Sequence, residues 1–584
     1  MRKLIDMRST GRKKTVGLII ENLFTEFAQE VIQNVISSSR LNKDINVVIV
    51  AGKYDPETDL EDHQHRYKRV YNSVYKLEEL CGFDGLIISL GSMEKIKREV
   101  IEKRYFENLK NTPKVFVVSD LEGQPSVNYD NSTGIDEAVD CLVNAYGLSR
   151  FCMLGGREDN VDARARKALY ADALARNKIE FTDRNYVSGD MSTDTQEPAR
   201  ELLDKNPDAQ VIFCVNDASA VGLFEVMASR GLQPGKDIMV FGFDNTNAAG
   251  RMSPTLASIG ASEITLGQKA MEEVLSQMNG NPPKSVLVPT RIYGRESFEY
   301  EMYEYTTIEM FNVDKDFIYR MFDDCFYRYR YEYRDRESVN LPRLFYAFMS
   351  KILKTLRSKY ISIEDFNESL HLIDIFFENG AMDYTDAGKF TKSVESLQYT
   401  VNQLCGNNRY VNRLFARMKD KAIIALAENR LRFNDKLITG RQKIQNMMVE
   451  TVSYSGDSGD AVNRIVRNFD KLGLMNSALF LFESPVDYEE DKEDLFPSYI
   501  NLKCVMKCGE LYVIPKERQS GTVGDMFRRV ELPSKCSEFV PFPIFYRESI
   551  FGFLLCEYSD EIANSGEYFA DQLARTLYMN EYYR

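Results

Sequence analysis

An α/β class for roughly the first 300 residues, followed by a helical connector and a smaller α+β domain, is predicted by three observations. Short apolar runs without period-two polarity alternate with amphipathic helices up to residue 298. Strand-like runs then vanish until about residue 440, and they return after 441 as alternating segments closed by a helix. Continuous apolar strands separated by helices imply parallel sheets covered on both faces.

The first strand is predicted at Thr15–Ile20, before Phe27, Val31, Ile32 and Val35 on one helix face. Val47–Val50, a helical stretch from His65 to Leu80, Gly85–Ile88, a helix from Met93 to Asn108 and Lys114–Val118 continue the alternation. It resumes with a helix over Gly134–Tyr146, a strand over Phe151–Leu154, a helix over Ala163–Arg176 and a strand over Val211–Val215. Sheets of this kind bind ligands beyond the carboxyl ends of their strands. At those ends the residues turn short and polar: Glu21-Asn22-Leu23-Phe24, Tyr129-Asp130-Asn131, Asn216-Asp217 and Gly242-Phe243-Asp244-Asn245. Carboxylates and amides there suit hydroxyl-rich or amine-bearing ligands. The competing reading is that each only caps the helix that follows; four such edges together favour a site.

Several ordered motifs carry a resemblance. VIFCVNDASAVG at 211–222, GLQPGKDIMVFGFD at 231–244, TLAS at 255–258, LGQKA at 266–270 and RIYGRES at 291–297 are similar to the effector-binding domain of the LacI/GalR repressor family. Asp130-Asn131 with Gly134, and Arg166 ahead of Tyr170-Ala171-Asp172-Ala173-Leu174, fall in register. The resemblance covers 15–298 and implies the type I periplasmic-binding-protein fold, two α/β lobes joined by three crossing strands. Carried over residue by residue, it implies ligand contacts at Asp130, Arg166, Asn216 and Asp244, with Phe24 and Phe27 near the first loop. Arg166 would offer a planar fork of donors. Two departures stand out. Gly189-Asp190 is followed by Met191 where the family usually carries an aromatic residue, and the chain has no Trp to stack on a sugar face. Only fourteen residues precede the core, too few for the family's DNA-reading helix-turn-helix, so direct operator contact is not expected from these residues.

In the connector, 299–440, Leu344, Phe348, Ile352 and Leu353 keep helical spacing. The run Tyr327–Arg334, with acidic flanks, reads as a solvated amphipathic element rather than a nucleic-acid stacking surface. From 441, two helices ending near Leu472, a strand at Ser477–Phe482, an acidic loop over Glu483–Asp494, strands near 499–507 and 510–514, and a hairpin turning at Arg547-Glu548 resemble a GAF sensor domain. A terminal helix carries Phe569, Leu573 and Leu577. The first two are expected to pack on the sheet, Leu577 and Tyr578 against a second copy. The domain order resembles the sensory part of cytoplasmic GGDEF (diguanylate cyclase) proteins, although no GGDEF signature occurs and Ser455–Asp460 does not supply one.

Bulk properties exclude more than they assign. Net charge is −14, with 88 acidic and 74 basic residues, which opposes broad contact with nucleic acid. Ten scattered cysteines and three histidines give no metal framework. His63 and His65 share a charged loop with Asp59, Glu61 and Asp62, and His371 reads as structural. No signal peptide, membrane span, phosphate loop, HExxH or nucleophile elbow appears. The expectation is a cytoplasmic, non-enzymatic homodimer without cofactor or metal that senses a sugar, nucleoside or related metabolite and relays lobe closure to a C-terminal output. The alternative is the effector-binding core of a LacI-family transcriptional regulator. On either reading Arg166→Ala and Asp244→Ala are expected to fold normally.

Overall fold

The computed structural model describes residues 13–40, 45–53, 62–89, 103, 107–119, 121–262, 264–300, 314–329, 339–385, 387–452, 474–489, 492, 494–530 and 538–582. Along the chain come β1 (Lys14–Ile20), β2 (Ile45–Ala51), β3 (Gly85–Ser89), β4 (Lys114–Val117) and β5 (Ser126–Asp130). Then follow β6 (Phe151–Gly155), β7 (Tyr186–Ser188), β8 (Val211–Cys214), β9 (Met239–Phe243), β10 (Ala257–Ala261) and β11 (Val286–Tyr293). The last group is β12 (Ser477–Asp487), β13 (Tyr499–Lys507), β14 (Glu510–Val513), β15 (Ser520–Thr522), β16 (Glu538–Tyr546) and β17 (Ser549–Glu557). The chain forms two compact units, one from 1–128, 265–287 and 437–584, the other from 129–264 and 288–436.

In the first unit, β2–β1–β3–β4–β5 is a parallel sheet, its strands buried almost throughout as the apolar runs require. The helix Leu266–Met278 packs on the helix Glu26–Arg40. Gly267 permits the approach, because a Cβ there would stand 2.7 Å from the Val31 carbonyl oxygen.

The C-terminal strands belong to this same unit. β16 pairs in parallel with β2 (Glu538 with Val47, Phe539 with Val48) and continues through antiparallel β17, β12 and β13. One core joins Ile19, Val48, Tyr75, Phe83 and Phe116 to Phe480, Phe527, Phe545 and Phe553. The predicted hairpin and closing helix (Asp560–Tyr582) are present. Their organisation differs from a free-standing domain, because an exposed edge of β2 is completed by β16 and the two share buried apolar surface.

The second unit holds β7–β6–β8–β9–β10, all parallel, with β11 antiparallel on β10. It also holds helices Lys315–Cys325, Leu341–Ser358, Ile363–Glu378 and Ala387–Cys405, with a core of their own. Asp314, Asn340 and Ser362 cap the first three by accepting from backbone N–H groups.

Several expectations need correction. The boundary at 440/441 falls inside one helix, Arg409–Val452, whose sequence contains no breaker until Gly440 and continues helical beyond it. Of the run Tyr327–Arg334, Tyr327 and Tyr329 are buried rather than solvated, while residues 330–334 lie outside the described residues; Arg295 Nη2 donates to the Tyr327 hydroxyl at 3.0 Å. Tyr578 is half-buried, its ring centroid 4.4 Å from that of Tyr546, and Leu577 is half-buried beside it. The acidic loop is shorter than predicted, since β12 runs on to Asp487 opposite Ser549. His371 is exposed on its helix. Most of the predicted helix at Met93–Asn108, the segment 453–473 with Ser455–Asp460, Asp59, Glu61 and the side chains of His63 and His65 lie outside the described residues. Among the described residues no helix is long and apolar enough to cross a membrane.

At the seam, Arg40 donates from Nε to Glu538 Oε1 at 2.8 Å and from Nη2 to Oε2 at 3.3 Å, while the Glu538 side chain is 1% exposed. Truncating Arg40 strands a buried carboxylate without its guanidinium. Arg40→Ala is therefore expected to cost about 2 kcal/mol, measured as a lower urea midpoint, with far-UV circular dichroism unchanged.

Candidate functional site

The second unit gathers its polar strand-end residues around one buried cation. Arg166 lies on the helix Val161–Arg176 and is 1% exposed. Its Nε donates to Asn131 Oδ1 at 3.3 Å and its Nη1 to the Val215 carbonyl at 2.8 Å. Its Nη2 is shared between Asp162 Oδ2 at 3.3 Å and Asp244 Oδ1 at 3.1 Å. The guanidinium carbon sits 3.6 Å from the Phe243 ring centroid. Four of the five N–H groups are thus engaged, on a residue whose donors are all directional.

Asp244 follows β9 in a strained backbone: φ is 97° there and 49° at Asn245. Three anchors hold that turn. The Asn245 N–H donates to Ser258 Oγ at 2.9 Å, and the Thr246 N–H donates to Asp217 Oδ2 at 2.8 Å. Arg295 Nη2 donates to Asn245 Oδ1 at 2.6 Å. Gly260 leaves the room, since a Cβ there would meet Asn245 Cβ at 2.4 Å. Burial pushes the Asp244 carboxyl up from its usual range, and Arg166 opposes the rise. Burial, together with the nearby Asp244, raises Asp217 to about 7, against the hydrogen bonds from Ser258 and Thr246.

The other expected residues take different parts. Asp130 caps the helix Asn131–Asn144, accepting from the Ser132 N–H at 3.2 Å and from the Ser132 and Thr133 hydroxyls at 2.6 and 2.8 Å. Burial alone would raise its carboxyl, but these donors hold it below the usual range. Asn216 caps the helix Asp217–Ser229, its Oδ1 accepting from the Ser219 N–H and hydroxyl. Its Nδ2 donates to the Met191 carbonyl at 2.9 Å, fixing a half-buried Met191 whose φ is 68°. For these two the capping role is present in the geometry. Asp130, Arg166, Met191, Asn216 and Asp244 are brought into one connected set through Asn131 and Val215. Phe24, 47% exposed, and Phe27, half-buried, belong to the first unit.

Sequence reasoning placed Asn131, Asp217 and Phe243 in the strand-end runs and Ser258 and Arg295 in family motifs without giving them a role of their own, and it passed over Asp162. The signal for Asp162 was available, since it precedes Arg166 by one helical turn. Arg295 lies in the motif at 291–297, but nothing local marks its partner, Asn245, 50 residues away. Among the described residues, no group of three or more His, Cys, Asp or Glu could hold a metal ion.

Residues 141–298 match the family described as a periplasmic binding protein-like domain. The chain is 24% identical over 299 residues to catabolite control protein A of Priestia megaterium, covering 50% of this chain and 84% of that protein. It is 26% identical over 222 residues to the HTH-type transcriptional repressor CytR of Escherichia coli K12, covering 37% of this chain and 62% of the repressor. With the ribose operon repressor of the same strain it shares 29% identity over 198 residues, 33% of this chain and 58% of that one. The last two matches span less than two thirds of the relatives' own length. The chain therefore carries a periplasmic binding protein-like domain, and Arg166 and Asp244 both fall inside the matched residues.

Two outcomes follow from the geometry. Arg166→Ala, expected from sequence to fold normally, leaves Asp162 and Asp244 buried without their cation, and is expected to lose about 3–5 kcal/mol in urea unfolding. Asp217 binds its proton more tightly folded than unfolded, where an aspartate stands near ~3.9. The folded chain is thus progressively destabilised by this group as pH rises from about 4 to about 7. Asp217→Asn is expected to flatten that decline between pH ~4 and ~7; an unchanged slope would assign the decline to other groups.

Proposed function

We propose that residues 15–298 form the effector-binding core of a cytoplasmic, non-enzymatic transcriptional regulator of the LacI type, taking a sugar, nucleoside or related polar metabolite. The observation that carries this reading is the Arg166–Asp244 pair, buried at the carboxyl ends of parallel strands inside the matched domain. Asp244 has a second carboxylate oxygen outside the pair and a side chain 12% exposed, positioned to accept from a ligand hydroxyl or amine. Asp130 offers a second carboxylate, and Met191 an adaptable apolar wall. Arg166 acts here by aiming Asp244, with its remaining N–H available to a ligand oxygen.

The relatives' names, all regulators of gene expression or catabolite control, favour this reading over a sensor coupled to a diguanylate cyclase. A second reading, in which ligand state passes to the GAF-like C-terminal region, is favoured by one observation: β16 extends the sheet of the first unit. We infer a homodimer on either reading, which light scattering on the intact chain measures directly.

A thermal-shift screen of pentoses, hexoses, disaccharides and nucleosides tests the proposal. A cognate compound at about 100 times its Kd should stabilise the chain by about 2.7 kcal/mol. Asp244→Asn should keep the fold and lose most of the shift. A full shift retained in that variant would remove Asp244 from the binding site, and a screen without any shift would count against the sugar or nucleoside class.

A further inference from the structure

The C-terminal helix Asp560–Tyr582 meets the loop after β2 of the first unit at the side chain of Lys53. This residue follows β2, and its backbone is fixed on both sides. Its N–H donates to Asn72 Oδ1 at 2.7 Å, and its carbonyl accepts from Asn72 Nδ2 at 3.3 Å. The preceding Gly52 sits against Tyr75, where any Cβ would stand 2.3 Å from the hydroxyl. From this fixed base the ammonium projects into a cage. Nζ lies 2.6 Å from Glu567 Oε1 and 5.7, 5.6 and 5.3 Å from the ring centroids of Phe24, Tyr67 and Tyr71. The Tyr67 hydroxyl donates to the same Glu567 oxygen at 2.6 Å and lies 3.2 Å from both oxygens of Asp571, one helical turn on. The Lys53 and Glu567 side chains are 21% and 20% exposed. Three rings and a carboxylate around one cation form a receptor for an alkylammonium group.

Resting on the reading of the Phe24 loop as part of a ligand wall, we propose that this cage is an ammonium-binding site, occupied by the chain's own Lys53, that ties the C-terminal helix to the Phe24 loop. The ammonium is shared between a ring on that loop and a carboxylate on the helix, so displacing either partner alters the hold on the other. Coupling of this kind is reciprocal. A molecule stacked on the exposed face of Phe24 changes the environment of Glu567, and a partner that draws the helix away loosens the Phe24 loop.

The test needs no effector, so its outcome is separate from that of the sugar or nucleoside screen. Amide hydrogen exchange is followed over 21–27 and 52–53 in the full chain, its Lys53→Ala and Glu567→Gln variants, and Lys53→Met, which keeps the methylene stem should the alanine variant fail to fold. Each variant is expected to exchange about threefold to thirtyfold faster in those loops, with β17 unchanged. Millimolar n-butylammonium chloride should restore slow exchange in Lys53→Ala but not in Lys53→Ala/Glu567→Gln, and sodium chloride should restore neither. Unchanged loop exchange in the single variants would overturn the proposal. So would a butylammonium effect equal to that of sodium chloride.

Discussion

Removing a guanidinium from water obliges a protein to supply partners from several parts of the chain at once. Arg166 draws Asn131 from the end of β5, Asp162 from its own helix, the Val215 carbonyl from the end of β8, and Asp244 with Phe243 from the end of β9. Each contact lies beyond a different strand or on a different helix, so the ends of β8 and β9 and the helix following β5 converge on this residue. The arrangement has excess negative charge, two carboxylates on one cation with Asp217 nearby. Desolvation therefore raises Asp244 and Asp217 rather than leaving them at ordinary values. On the proposed reading, that charge balance would favour a neutral, hydrogen-bond-donating ligand over an anion.

A different constraint governs the first unit. A parallel sheet ordered β2–β1–β3–β4–β5 ends on β2, whose free N–H and C=O groups need a partner or cover. Here β16 supplies the pairing, and the buried Glu538 carboxylate at its start is met by Arg40 at the end of the neighbouring helix. Because Phe545, Phe553 and Phe527 enter the same core as Tyr71, Tyr75 and Phe83, the two segments fold as one body despite nearly 500 residues between Arg40 and Glu538. Sequence gave this region the right strands and the wrong independence. Apolar periodicity reports which faces are buried, and says nothing of what buries them.

The same distinction runs through the site. Apolar runs placed β1, β2, β3, β6, β8 and the final hairpin with little error, because a strand buried on both faces admits few polar residues. Asp244 and Arg166 were legible through family motifs, and their pairing has physical content in the structure. Asn216 shows the limit: Asn before a helix satisfies a cap and a ligand contact equally well on paper, and here both ends of its amide are bound to Ser219 and Met191. Tyr327 shows another. Alternating Tyr and Arg with acidic flanks looks solvated, yet a hydroxyl reached by Arg295 from a distant strand end made burial affordable. The boundary at 440/441 was misplaced for a related reason, since a change of composition does not interrupt helical hydrogen bonding.

The aromatic content of the strand ends bears on ligand shape. Phe243 offers no face to a ligand, because the Arg166 guanidinium stacks at 3.6 Å. Met191 stands where the family usually carries an aromatic residue, held by its carbonyl in a left-handed turn with its thioether packed against Gly156. Phe24 keeps an exposed ring, and one side of its environment is already set by Lys53. The platforms that favour a flat pyranose face are thus few, while carboxylate acceptors are several. On the proposed reading, selectivity would rest on the direction of ligand hydroxyl or amine donors toward Asp244 and Asp130, more than on stacking. The strained turn at Asp244–Asn245, anchored by Ser258, Asp217 and Arg295, keeps one of those acceptors from relaxing away.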